Sequence, residues 1–170
     1  MLALVAVLWG VTGISLVFGS AIYRLGLISL EMFSHPLLWY HWAALLFSVL
    51  FMGFAEGYRG FQQGYSPRVA ARLLYLKHNV TPLRLLLAPL FCMGFFDIKK
   101  SRMIISYCLL VGILILVQLV HLLEQPWRGI VDGGVVVGLT WGSISIVLFI
   151  LKAFFTDRFE HSPEMPEASN

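Results

Sequence analysis

The sequence predicts an all-α, polytopic integral membrane protein with four transmembrane helices, at about 2–22, 37–56, 103–123 and 130–154. Three observations predict it. Of the 170 residues, 59% are hydrophobic and only 12% are charged, where a soluble domain carries roughly 25% charged residues. The apolar residues gather in four stretches long enough to cross a hydrocarbon core. Eight of the twelve Lys and Arg fall between Glu56 and Arg102, with long apolar helix on both sides. The net charge is +3. Because the basic residues flank apolar helices, topology and anionic lipid headgroups account for them, and no nucleic-acid partner is expected.

The first helix, Leu2 to Ile22, contains no charge. At ~1.5 Å per residue it spans ~31 Å. It lacks the positive flank and short apolar core of a cleaved signal, so it reads as a retained helix. Gly10, Gly13, Ser15 and Gly19 let a neighbouring backbone approach. Residues 23–36 are expected to form a loop on the membrane surface or under the helices, because Leu25, Leu27, Ile28, Leu30, Met32 and Phe33 are too apolar for a free one. Pro36 suits a helix start. The second helix carries Trp39, Tyr40 and Trp42 at its first end, as at a lipid–water boundary, and closes on Glu56.

Ser66-Pro67 is a helix-start signal. It predicts a cytoplasmic amphipathic helix over 67–80, with Arg68, Arg72 and Asn79 on one face and Val69, Leu73, Leu76 and Val80 on the other. Thr81-Pro82 repeats the signal. The apolar segment 83–96 is interrupted by Pro89 and, at ~21 Å, is short for a crossing; it reads as interfacial or re-entrant. Ser101 is placed to cap the third helix, whose polar stripe of Tyr107, Gln118 and His121, continued by Gln125, should face protein. A turn at 124–129 leads to the fourth helix, where Gly134, Gly138 and Gly142 repeat every fourth residue and form a packing groove. Residues 1–155 form one membrane-embedded domain. The polar tail 156–170, with Pro163 and Pro166, is expected to be a disordered cytoplasmic segment.

Charge sets the orientation. With the N-terminus in the cytoplasm and four crossings, ten Lys and Arg lie inside, and Arg24 and Arg128 lie outside. The positive-inside rule therefore predicts both termini inside, in a plasma (inner) membrane.

Candidate chemistry is sparse. Glu56 and Arg59, three apart, are expected to pair on the helix surface and, with Arg68 and Arg72, to hold a lipid headgroup, a partner or a proton. His41 and His121 fall at similar depths near the outer ends of two helices, where two imidazoles could ligate haem iron. Glu31, His35, Glu124 and Asp132 could meet at the outer face, but their spacing matches no metal motif. Cys92 and Cys108 form no CxxC. No phosphate loop, nucleophile elbow or zinc cluster is present, so no catalytic residue is assigned.

The expectation is a non-enzymatic accessory, assembly or scaffold subunit. It would pack through Gly134, Gly138 and Gly142 against a membrane partner or a second copy, and bind anionic lipid at its basic end. The alternatives are a haem- or quinone-associated redox subunit using His41 and His121, and a membrane enzyme using Glu56 on a lipid headgroup.

Overall fold

The structure is a computed structural model that describes residues 1–156, 159 and 161–166. All regular structure among them is helical: α1 (Leu2–Glu31), a 3₁₀ turn (Met32–Ser34), α2 (Trp39–Met52), a π-helical segment (Gly53–Tyr65), α3 (Ser66–His78), α4 (Pro82–Leu86), α5 (Ala88–Met93), α6 (Lys100–His121) and α7 (Trp127–Phe155). Three helices are long and apolar enough to cross a membrane: α1 with its 3₁₀ turn, α6 and α7.

α1 does not stop at residue 22. Nothing between Tyr23 and Glu31 breaks a helix, and Ile22 and Leu25 pack on the core, so the expected loop shrinks to a few residues around Pro36. α2 begins at Trp39 rather than at Pro36. Its first turn is capped from within, the Nδ1 of His41 accepting the Leu38 N–H at 3.1 Å.

The larger departure is that α2, the π segment and α3 form one unbroken helix from Trp39 to His78. Ser66-Pro67 does not start a helix. It marks the place where winding returns from π to α: the Ser66 N–H bonds Phe61 O, five residues back, and Pro67 has no N–H to place. Arg68 Nε donates to Gly64 O at 2.7 Å, so a side chain serves a carbonyl beside the switch.

α7 is the hub. The 39–78 helix runs parallel to it: His41 meets Trp127 (ring centroids 5.1 Å apart), Ser48 and Glu56 meet Gly134 and Gly138, Phe61 meets Gly142, and Lys77 Nζ lies 5.3 Å over Phe154. α1 runs antiparallel to both, with Ile28 O accepting from Gln125 Nε2 (3.1 Å), Phe18 against Phe61 (5.4 Å) and Gly10 against Leu73 and Cys92. The start of α1, the end of α7, α3 and the α4–α5 pair therefore share one end of the bundle.

Thr81 starts α4 as its sequence signals, its side chain accepting from Arg84 N. At five and six residues, α4 and α5 are each under ~10 Å long, and segment 83–96 does not cross as one helix. It folds onto α1, with Trp9 Nε1 donating to Leu86 O (3.1 Å) and Pro89 seated on Gly13. Gly94 ends α5 with φ +83°. α6 starts at Lys100 with no side-chain cap, so Ser101 does not serve as one. α6 also stands apart: none of its residues is buried.

Candidate functional site

Two polar arrangements are built into the helices, one midway along α7 and one at the shared end. The first is Glu56. Residue 56 was expected at the edge of its helix, but its carboxylate lies against Gly138: a Cβ built there would meet Glu56 Oε2 at 2.8 Å and Met52 O at 3.2 Å. Gly138 is eleven residues into α7, ~16 Å from the nearer end of that helix. The three glycines work as one surface. Gly134 receives Ser48, Gly138 receives Glu56, and Gly142 receives the Phe61 ring. Next to them, Trp141 Nε1 donates to Gln62 Oε1 at 2.9 Å. The Gly-xxx-Gly groove is thus filled from within the chain, and Gly134, Gly138 and Gly142 are buried.

The Glu56–Arg59 pair does not form. Among the described residues Arg59 makes no ion pair, and its side chain is exposed. The cause is the winding. Residues three apart face one another on a 3.6-residue helix, but π winding places more residues in each turn and turns the third residue off that face. Glu56 has no hydrogen bond or ion pair among the described residues.

The second arrangement is a clamp at Arg72, expected on an exposed polar face but only 1% exposed. Its guanidinium donates to four carbonyls: Nε to Phe91 O (2.6 Å), Nη1 to Pro163 O (2.9 Å), Nη2 to Phe96 O (2.9 Å) and to Asp97 O (3.2 Å). It also lies 4.1 Å above the Phe91 ring. Phe91 O, near the C-terminus of α5, also accepts the Gly94 N–H at 3.0 Å, and the carbonyls of Phe96 and Asp97 follow the left-handed turn at Gly94. A five-donor fork suits such a set. Burial pushes the Arg72 guanidinium down to about 10, opposed by Cys92 and Asp97, and it stays charged at neutral pH. Burial likewise pushes the Cys92 thiol up to about 12. Alongside, Arg84 Nε donates to Asp97 Oδ2 (2.6 Å).

Part of the tail expected to be free lies on this clamp. Pro163 O meets Arg72, Glu164 O accepts the Lys99 N–H (3.1 Å) and Glu164 Oε1 pairs with Arg102 Nε (3.2 Å). The carbonyls and carboxylate of a polar segment find donors there. Positions 157, 158, 160 and 167–170 lie outside the described residues. Arg68 is half-buried beside the clamp. The structure therefore separates the four residues expected to act together: Glu56 faces Gly138, Arg59 faces outward, and Arg68 and Arg72 serve backbone carbonyls.

The histidines go different ways at the far end. His41 is buried between Tyr40 and Trp127. His121 has both ring nitrogens engaged, Nδ1 with Val117 O (2.9 Å) and Nε2 with Arg128 (3.3 Å), and Arg128 in turn approaches Asp132 at 3.8 Å. That leaves His121 no free nitrogen for an iron. Among the described residues no three His, Cys, Asp or Glu side chains gather as a metal site.

A clue to Arg72 lay in the sequence: it is three residues from Val69 and four from Leu76, so it borders the apolar face. The carbonyls it serves had no sequence signal, because they belong to a distant turn and to the tail.

Fold and site define the class, an all-helical protein with three helices fit to cross a membrane and an internal carboxylate on a glycine surface. Comparison with protein-family models, curated proteins and solved structures finds no match.

Proposed function

We propose that the chain is a non-enzymatic accessory or assembly subunit of a membrane complex, and that α6 is the helix it offers to its partner. The observation that carries this is the contrast between α6 and the rest. α1, the 39–78 helix and α7 bury their small and polar residues against one another, whereas α6 buries none. Its Gln118 amide is exposed and, among the described residues, unpartnered. An amide facing hydrocarbon leaves donors and acceptors unsatisfied, and polar side chains in such helices face protein. The polar stripe expected on this helix thus points to a partner helix bearing an amide or hydroxyl.

In this reading the 39–58 portion is a fourth crossing, with Arg59 at its inner boundary. Both termini then lie at the end where α3, α4 and α5 gather, on the cytoplasmic side by the distribution of Lys and Arg. Lys77, His78 and Lys100, exposed at that end, meet anionic headgroups in place of Arg72. Headgroup chemistry at Glu56 finds no support from a carboxylate midway along α7, nor does haem ligation when both ring nitrogens of His121 are engaged.

The test is a photo-crosslinking residue placed at Val111, Leu114 or Gln118 in native membranes, compared with Leu4 and Leu8 on the exposed side of α1. One discrete protein adduct from the α6 positions alone is expected. Lipid adducts only, or the same adducts from both helices, would overturn the reading.

A further inference from the structure

We infer that Glu56 is a reversible proton-binding site inside the membrane, set in the notch of Gly138. The inference rests on the four-crossing reading just given. Three observations carry it. Glu56 Oε2 lies where a Cβ on Gly138 would be 2.8 Å away, so the glycine is what leaves room for a carboxyl between two helices. Among the described residues Glu56 meets no cation: the groups nearest along its own helix are Arg59, which is exposed, and Arg68, which is bonded to Gly64 O. Facing elements add none. α7 carries no charge between Asp132 and Lys152, α1 none between its N-terminus and Arg24, and α2 only His41, at the far end. Finally, Glu56 sits in a thirteen-residue π-helical segment. π winding is rare, and its short insertions concentrate at functional sites.

An unpaired carboxylate at that depth is strongly disfavoured. Glu56 therefore holds a proton at rest. Too few oxygens converge for a metal cation, which wants a fuller shell, so the ligand is a proton. Ionisation requires water or a partner group to reach the notch, which makes the proton exchangeable under control of the helix packing.

The experiment labels the full chain in native membranes with dicyclohexylcarbodiimide, which partitions into lipid and attacks protonated carboxyls. The carboxyl proton passes to a carbodiimide nitrogen, the carboxylate adds to the central carbon, and an acyl shift leaves a stable N-acylurea with every atom retained. Peptide mapping should find one adduct, at Glu56. It should be lost in Glu56→Gln, kept in Glu56→Asp, and reduced at least tenfold as pH is raised from mildly acidic to strongly alkaline. Mapping the wild-type adduct needs no variant, so a misfolded Glu56→Gln leaves the test intact. No adduct at Glu56, or one indifferent to pH, overturns the proton site while leaving the crossings standing. Protection by sodium would make it a metal-cation site and overturn the assignment. Equal labelling by a water-soluble carbodiimide would place Glu56 in water and overturn the four-crossing reading with it.

Discussion

At the scale of single residues, Gly138 and Arg72 carry the most specific consequences. Gly138 has room for no side chain, since its Cβ would press on Glu56 Oε2 and on the Met52 carbonyl. Overpacking of this kind costs about 1–3 kcal/mol, so Gly138→Ala should lower the midpoint of thermal aggregation in detergent, and Gly138→Leu should prevent folding. Arg72→Ala takes its donors from Phe96 O, Asp97 O and Pro163 O and leaves Phe91 O only the Gly94 N–H, at a partly buried site. The expected loss is on the order of 3–5 kcal/mol, and Arg72→Lys, a single point donor in place of a fork, should recover only part of it. Arg68→Ala removes one bond to Gly64 O and should cost about 0.5–1.5 kcal/mol. Denaturant titration of the three variants orders them, and equal effects of Arg68→Ala and Arg72→Ala would contradict the clamp. Cys92, buried and with its thiol pushed up to about 12, should resist maleimide near neutral pH until the protein is unfolded.

At the scale of elements, the π segment reconciles two parallel helices of unequal residue count. From Gly53 beside Val137 to Phe61 beside Gly142, one helix uses eight residues where the other uses five. Wider winding takes up the difference, and seats Gly57 on Trp141 and Phe61 on Gly142. α6 behaves oppositely. Gln118→Leu removes nothing from the chain's own packing, so stability should stay within about 0.5 kcal/mol of wild type, while a complex isolated in mild detergent should lose its partner. Unchanged recovery of the partner would count against α6 as the docking helix.

At the scale of the whole molecule, four passes alternating in direction would leave both termini on one side. Reporters active only in the cytoplasm, fused at either end, should both be active, and a cysteine replacing Arg24 or Glu124 should react with an impermeant thiol reagent from the opposite side. Opposite activities of the two fusions would show an odd number of crossings.

The sequence by itself determined the class and the materials of this protein. Helical content, the long apolar segments of α1, α6 and α7, the Thr81 start, the small-residue face of α7 and the break near Pro89 are legible, because each rests on local length, hydropathy or steric rule. Only the tertiary structure decided how those parts are used. It carried α1 through the expected loop, ran α2 through Ser66-Pro67 into α3, turned Arg72 inward and filled the Gly134–Gly142 groove with Ser48, Glu56 and Phe61. The reason is physical. Local signals describe what a segment can do alone, whereas the winding of the 39–78 helix, the placement of Glu56 and the burial of Arg72 are settled by partners tens of residues away. Glu56 is the plainest case: on an ideal α-helix it pairs with Arg59, and on the helix that α7 imposes it meets Gly138.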